Sequence, residues 1–225
     1  MDYLTKFNVR TCFAFPALIG LLILNVSSCA QSAKNEEVNR ILSELDNGKV
    51  VGNVYENKLL GLKIPFPKSM SPDTKTEMEP YVKEAIEKFK QGRPEDKKIV
   101  DEMIRKDRVV FSLDMSATEE SLGAAMTLTL KKDETGEELR GMVERTIKYF
   151  TESGKQKLVE KVSERNIGAI NAFTFLMSQE LEGVTVFSKI YTGRRNGYFF
   201  TLSGSYADKI GQSEMEAVIK GIEAK

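Results

Sequence analysis

The stretch Phe173-Thr174-Phe175-Leu176-Met177 decides the fold, because apolar side chains fall at both odd and even positions of one predicted strand. Successive side chains of a strand point to opposite faces of the sheet, so this stretch places apolar groups on both faces. A strand with one face in water would instead alternate apolar and polar residues. The stretch therefore predicts a central strand that is covered on both sides.

This strand belongs to a predicted meander in the last third of the chain. Its four strands are expected at 158–164, 169–179, 184–191 and 198–203. The turns between them contain Gly168, Gly183 and Asn196-Gly197. An Asn-Gly pair between two strands is a strong signal for a two-residue hairpin turn.

Three earlier segments also have the pattern of strands. Residues 109–115 and 125–130 alternate with period two, which predicts two half-buried strands. Leu62, Ile64 and Phe66 alternate in the same way and predict a short strand that ends at a proline-rich edge.

Helices are predicted where apolar residues recur with helical spacing. They cover 35–46, 80–89, a stretch that starts at Pro94, a stretch from Thr135 to Gly154, and a closing stretch that starts at Ser213. Strands and helices in separate runs predict an α+β fold. We expect one antiparallel β-sheet of about six to seven strands sandwiched between α-helices, in three layers.

The first thirty residues have the organisation of a secretory leader. Lys6 and Arg10 are followed by an uncharged apolar run over 12–24. A membrane-spanning helix needs roughly 20 apolar residues, whereas the core of a signal peptide needs about 7–15. The run ends in Leu24-Asn25-Val26-Ser27-Ser28-Cys29, and a polar segment follows. This stretch resembles the lipobox of bacterial lipoprotein precursors.

The lipoprotein resemblance implies cleavage between Ser28 and Cys29 and a lipid attached to the sulfur of Cys29. One acyl chain binds a membrane only reversibly, whereas two or three chains on one residue give lasting attachment. Ala30 follows the cysteine, as in the outer-membrane sorting pattern of Gram-negative bacteria. The implied location is extracytoplasmic and lipid-anchored, with the outer membrane favoured in a Gram-negative cell. The alternatives to a lipoprotein are a plain signal peptide followed by a chance cysteine, and an uncleaved anchor.

The predicted domain organisation follows from these boundaries. Residues 1–28 form the signal peptide, 29–52 a tether with a short amphipathic helix, and 53–225 a single folded domain.

The composition excludes several classes of function. Without the signal peptide the chain keeps 31 basic and 32 acidic residues, so it lacks the positive charge expected of a nucleic-acid binder. The chain has no histidine, which removes histidine bases, histidine-activated nucleophiles and histidine-containing zinc sites. The two cysteines are Cys12, which leaves with the signal, and Cys29, so no disulfide or free thiol is expected in the mature protein.

A second resemblance covers the folded domain, from Asn53 to Ala224. Tyr55, Asn57, Gly61, Ile64 and Pro67 have the spacing of the opening signature of PsbP-like proteins. The same family resemblance extends to Gly168 with Ala172, to Lys189-Ile190-Tyr191 and to Gly197-Tyr198-Phe199-Phe200. The resemblance implies the antiparallel sheet between helices that PsbP-like and Ran-binding Mog-type proteins share, and a binding or assembly role. Members often carry a tryptophan soon after the proline, where this chain has Met70 and no tryptophan anywhere.

Three groups of residues are candidates for a site. Asp133-Glu134 with Glu137-Glu138 could bind calcium through carboxylate oxygens, although acidic residues are also favourable at a helix N-terminus. Arg194-Arg195 could bind an anion or an acidic partner, although a solvated hairpin turn explains them more simply. Tyr191, Tyr198 and Phe199 could form an exposed aromatic patch, but alternation sends Tyr198 and Phe199 to opposite faces and favours the core.

These observations favour a membrane-anchored, non-enzymatic binding or assembly module of the cell envelope with a protein partner. We expect no catalytic residues, no metal and no cofactor, and the sequence does not identify a ligand-binding residue. A carrier of a small apolar ligand facing the periplasm is the alternative, and a carboxylate- or lysine-based enzyme is a third hypothesis.

Overall fold

The computed structural model describes residues 48–73, 108–133, 138–152, 154, 156–181 and 183–224. Several predictions lie outside these residues: the signal peptide 1–28, Cys29, the helix at 35–46, the helices at 80–89 and from Pro94, and residues 135–137 at the start of the helix predicted from Thr135.

A seven-stranded antiparallel sheet forms the centre of the fold. Its strand order is β4-β5-β6-β10-β9-β8-β7. The strands are β4 Ser71–Asp73, β5 Arg108–Met115, β6 Ala124–Lys132, β7 Lys157–Ile167, β8 Ile170–Leu181, β9 Val184–Arg195 and β10 Tyr198–Tyr206. The predicted α+β class and the predicted six to seven antiparallel strands are confirmed.

A second, four-stranded antiparallel sheet lies against the first and was not predicted. Its order is β1-β2-β3-β11. The strands are β1 Lys49–Val51, β2 Val54–Asn57, β3 Leu62–Pro65 and β11 Glu223–Ala224. The ring of Tyr55 in β2 stacks on Phe111 of β5, with centroids 3.9 Å apart. β1 is formed by the last residues of the segment predicted as a tether.

The two faces of the large sheet differ in chemistry. On β6, Met126, Leu128 and Leu130 point to one face, which we call the core face. Thr127 and Thr129 point to the other, which we call the hydroxyl face, and they are buried as well. The prediction of a half-buried strand at 125–130 is therefore wrong, because β6 is buried on both sides from Ala124 to Lys131.

Helices and the small sheet cover these two faces. Helix α1, Leu139–Glu152, packs on the hydroxyl face, where Met142 contacts Phe199. Helix α2, Lys209–Gly221, packs on the core face over β10 and β6, beside the small sheet. The core face is thus covered by a helix and a sheet together, and not by helices alone as we expected.

The stretch 173–177 lies in β8, which is the sixth strand of seven and not the central one. Both of its faces are covered, since Phe175, Leu176 and Met177 are buried. The edge position belongs to β7, which is exposed along almost its whole length and whose pairing with β8 is interrupted by two register shifts. The pattern of apolar residues predicts whether a strand is buried on both faces, but it does not predict the position of that strand in the sheet.

The helix predicted from 135 to Gly154 is confirmed over its described part, which is helix α1. Met142, Val143, Ile147 and Phe150 are buried as expected. Gly154 follows the last turn with a φ of 69°, a left-handed conformation that favours glycine after a helix.

Helix α2 begins earlier than predicted. Its N-cap is Asp208 and not Ser213, and the Asp208 carboxylate accepts a hydrogen bond of 2.8 Å from the amide of Gly211. The same carboxylate accepts hydrogen bonds from the amide of Leu122 at 2.6 Å and from the hydroxyl of Ser121 at 3.0 Å. Asp208 therefore holds the β5–β6 connection against the start of the closing helix.

Burial raises the pKa of Asp208, but the hydrogen bonds from Gly211, Leu122 and Ser121 outweigh it and leave this pKa below its ordinary value of 3.8. A lowered pKa means that the carboxylate stabilises the fold above the unfolded pKa, and that this contribution is lost as the pH falls through the folded pKa.

We expect Asp208→Ala to lower the free energy of unfolding by about 2–3 kcal/mol at neutral pH, because it removes a cap and leaves loop donors unpaired. The difference between wild type and variant should shrink as the pH falls below 3.8. Urea unfolding at several pH values measures both effects. Ser213→Ala is the control and should change the free energy of unfolding little, since this exposed residue lies inside the helix. A difference in unfolding free energy between wild type and Asp208→Ala that stays constant with pH would contradict the capping role of Asp208.

The turn between β2 and β3 explains part of the opening signature. The buried Asn57 side chain donates to the Tyr55 hydroxyl at 3.0 Å and accepts from the amide of Leu60 at 2.9 Å. Gly61 closes the turn with a φ of 61°. These residues therefore fix a turn and its packing on Phe111.

Asn57→Ala should destabilise the protein by about 2–3 kcal/mol, because a buried amide and a buried hydroxyl both lose partners. Tyr55→Phe removes one hydroxyl and keeps the ring stacked, so we expect a smaller loss of about 1 kcal/mol. Thermal unfolding of both variants checks the order, and a larger loss for Tyr55→Phe than for Asn57→Ala would refute this role for the amide.

Candidate binding surface

Beside helix α2, part of the core face of the described sheet is only half-buried. Met215 of α2 lies over Gly204 of β10, where its sulfur is 2.9 Å from the position that a Cβ would take. On the neighbouring strand β9, Phe187, Lys189 and Tyr191 point to the same face and are only half-buried. We call these three residues the β9 strip.

An aromatic pair forms one end of the β9 strip. Phe187 is the cross-strand partner of Tyr206 in β10, and their ring centroids lie 5.9 Å apart at an interplanar angle of 24°. Tyr206 is buried, whereas Phe187 is half-buried. The half-buried ring of Phe187 therefore packs on the buried ring of Tyr206.

An ion pair occupies the middle of the β9 strip. The Lys189 ammonium donates to the carboxylate of Glu160 on β7. This contact crosses β8 at Leu176, which pairs with both residues and is buried. The lysine stem thus covers Leu176 while its charge remains near solvent. Exposed pairs of this kind contribute little to stability, so Lys189 is available to exchange its partner.

Two tyrosine hydroxyls complete the chemistry of this surface. Burial raises the pKa of Tyr191 and outweighs the lowering effect of the Thr174 hydroxyl, and the nearby carboxylate of Glu216 adds to the rise. Burial also raises the pKa of Tyr206, with added effects of Glu160 and Glu216. Both phenols stay neutral at physiological pH and can donate hydrogen bonds.

The three aromatic residues singled out in the sequence do not form one patch. Phe199 is buried on the hydroxyl face, with the Arg194 guanidinium 4.6 Å from its ring centroid. Tyr198 is half-buried and packs against the core on the opposite face. The predicted alternation of Tyr198 and Phe199 is confirmed, and Tyr191 instead joins Phe187 and Lys189.

One acidic and one basic candidate residue form an ion pair with each other. Arg194 Nε lies 2.8 Å from a carboxylate oxygen of Asp133, at the end of the β9–β10 hairpin. Asn196 and Gly197 both have positive φ and form the tip of that hairpin, as predicted. Glu138 is exposed, and Glu134 and Glu137 lie outside the described residues. Within the described ranges, no three metal-ligating side chains come together.

Sequence reasoning missed Phe187, Lys189 and Tyr206. The signal for them was present, because Phe187, Lys189 and Tyr191 alternate with the more buried Val186, Ser188 and Ile190 along one strand. A lysine between two aromatic residues on the face predicted to be apolar marks a place where that face is incompletely covered.

The comparisons with known proteins concern the fold. No protein-family model matches the sequence, and no curated protein matches it. Among solved structures, the cyanobacterial PsbP of Synechocystis sp. PCC 6803 has 10% identity and a TM-score of 0.46, over 79% of this chain and 98% of that one. LpqN of Mycobacterium tuberculosis, involved in cell envelope biogenesis, has 11% identity and a TM-score of 0.44, over 72% and 82%. The Ran-binding protein Mog1p of Saccharomyces cerevisiae has 9% identity and a TM-score of 0.39, over 79% and 86%.

These similarities concern the arrangement of strands and helices alone. They include the PsbP and Mog-type folds that the sequence signature implied. In the part of the chain that the structure describes, no helix has the length and apolar character needed to span a bilayer.

Proposed function

We propose that the protein is a lipid-anchored lipoprotein of the cell envelope that binds a protein partner through the β9 strip and catalyses no reaction. The observation that carries the binding role is the incomplete covering of the core face at Phe187, Lys189 and Tyr191. The same face is buried at Met126, Leu128 and Leu130 of β6 and at Phe200, Leu202 and Tyr206 of β10.

The composition of the strip supports a protein partner. Protein interfaces are enriched in aromatic residues, and their strongest contacts are aromatic side chains supported by well-packed neighbours. The Phe187–Tyr206 pair provides such a support for an apolar side chain of the partner. The Tyr191 hydroxyl can donate to a backbone carbonyl, and Lys189 can exchange Glu160 for a carboxylate of the partner.

The anchor rests on the sequence of the leader. Cys29 and the start of β1 at Lys49 are separated by a segment of about twenty residues, which spans at most roughly 70 Å when fully extended. Such a tether would let the folded domain search a limited volume next to the membrane, where its effective concentration towards a second anchored protein is high.

The absence of histidine and of a free thiol from the mature sequence supports a non-enzymatic role. On the strip, Lys189 is already paired with Glu160, and the raised pKa values of Tyr191 and Tyr206 keep both phenols protonated. The two phenols are suited to holding a partner, because neither is poised to release a proton near neutral pH.

Cys29→Ala tests the anchor. We expect the variant to accumulate as an uncleaved precursor of higher mass that no longer incorporates labelled palmitate, because the acylated sulfur is absent. Cys12→Ala, within the leader, is the matched control and should be processed normally. Equal labelling of wild type and the Cys29 variant would disprove acylation at this position.

Recovery of a partner tests the β9 strip. We expect Lys189→Glu and Phe187→Ala, made in the full-length anchored protein, each to reduce the recovery of a cross-linked partner roughly tenfold or more. Quantitative mass spectrometry after detergent extraction measures the recovery. The exposed Lys148→Glu on helix α1 is the control for added charge.

The outcome separates a specific partner from background. The proposal is supported if the partner is lost with both strip variants and is still recovered with Lys148→Glu. Recovery of the same proteins with all four forms of the chain would rule out the strip as the docking surface, whether or not Cys29 is acylated.

A further inference from the structure

Two positive charges lie beside the β9 strip, on the edge strand β7. Cross-strand partners share one face of a sheet, so the register extends the face of the strip across β8 to β7. Lys157 pairs with Ser178, which in turn pairs with Phe187. Arg165 lies level with the position two residues beyond Tyr191. The two cations therefore point to the face that carries the strip, one at each end of it.

Two contacts agree with this alignment. Glu160, Leu176 and Lys189 are successive cross-strand partners, and the Lys189 ammonium donates to the Glu160 carboxylate. Burial raises the pKa of Tyr191, and the positive charge of Arg165 is one of the influences that lower it. The Arg165 guanidinium is therefore close enough for its charge to act on the Tyr191 hydroxyl.

Neither cation is compensated by a carboxylate. Lys157 and Arg165 are exposed, and neither forms an ion pair within the described part of the chain. The nearby carboxylates already have partners: Glu160 with Lys189, Glu216 with Lys220, and Glu180 with the Thr185 hydroxyl. Among these side chains four are basic and three are acidic, so the excess charge beside the strip is positive.

The surface between the two cations is apolar and recessed. Leu176 is buried beneath the Lys189 stem, and the half-buried ring of Phe187 packs on Tyr206. The charges of β7 are exposed, whereas the aromatic rings are half-buried. A flat bilayer would contact the exposed charges and miss the rings, but the side chains of a polypeptide can reach both. The shape of this surface therefore favours a protein segment over a membrane.

We propose that the β9 strip binds an extended, acidic segment of the partner protein, with carboxylates on Arg165 and Lys157 and an apolar side chain on Phe187. This inference rests on the proposed function and adds the chemistry of the partner. The levels of the two cations are separated by the length of β8 from Ser178 to Ala172, about 20 Å, which an extended segment of about seven residues spans. Complementary charge of this kind selects the partner and speeds its association.

Fluorescence anisotropy on the full-length protein in neutral detergent micelles tests this chemistry. The probe is the labelled peptide Glu-Thr-Glu-Phe-Glu-Thr-Glu, and the matched probe is its charge-reversed form Lys-Thr-Lys-Phe-Lys-Thr-Lys. We expect the acidic peptide to bind and the basic peptide not to bind. Arg165→Glu and Lys157→Glu should each raise the dissociation constant of the acidic peptide roughly three- to tenfold, because each replaces an attraction by a repulsion. Phe187→Ala should also weaken its binding, since the apolar contact is lost.

Two controls accompany the peptide measurement. Lys148→Glu adds the same charge on helix α1, which packs on the opposite face of the sheet, and should leave the dissociation constant unchanged. Phosphatidylglycerol added to the micelles tests an anionic lipid surface as the other occupant, and it should not displace the peptide.

The outcomes separate this inference from the docking role of the strip. Binding of the acidic peptide that requires Arg165 and Phe187 supports the inference. Equal binding of both peptides, binding of neither, or displacement of the acidic peptide by phosphatidylglycerol would overturn it. If Phe187→Ala lowers the recovery of the cross-linked partner but Arg165→Glu and Lys157→Glu do not, the strip is a docking surface whose partner is not acidic. Equal recovery with every strip variant would instead refute the docking role itself.

Discussion

The register between β6 and β10 keeps the two faces of the large sheet chemically distinct. Nine cross-strand pairs run from Tyr198 with Lys132 to Tyr206 with Ala124. In the middle of this register, apolar pairs (Phe200 with Leu130, Leu202 with Leu128) alternate with hydroxyl pairs (Thr201 with Thr129, Ser203 with Thr127). A slip of one residue would move every side chain of a strand to the opposite face. It would place Leu128 and Leu202 opposite threonine and serine, so the burial of both faces fixes this register strongly.

The remaining elements follow from this division. The apolar face is covered by the small sheet and helix α2, which contribute Tyr55, Ile64, Met215 and Val218 to one continuous core. Two contacts hold this cover in place at its ends. Asn196 at the hairpin tip donates to the carbonyl of Leu59 in the β2–β3 turn at 2.6 Å. Gly168, in the β7–β8 turn, lies so close to β11 that a Cβ would be 2.9 Å from the amide of Ala224.

The sequence was sufficient to predict the secondary-structure elements that have strong local signals. Asn196-Gly197 predicted its hairpin, and the helical spacing of Met142, Val143, Ile147 and Phe150 predicted the buried side of α1. The alternation of Leu62, Ile64 and Phe66 predicted β3, but the small sheet as a whole could not be predicted, because β1, β2 and β11 have only two to four residues each. Ser213 with Glu216 fits the local pattern of a helix start, whereas Asp208 gains its role from Leu122 and Ser121, 86 and 87 residues away. The half-burial of the β9 strip beside α2 is a tertiary property.

The irregular pairing of β7 has a consequence for the association of two copies of the protein. A straight edge strand of eleven residues offers a template onto which a second copy could add its own backbone, and Leu158 and Val159 would make that pairing apolar. The register shifts between Leu158 and Glu160 and between Glu160 and Ser163 bend this edge, and Lys161 and Glu164 add charge to it. Two copies of the domain would therefore meet at edges that resist growth into an extended intermolecular sheet.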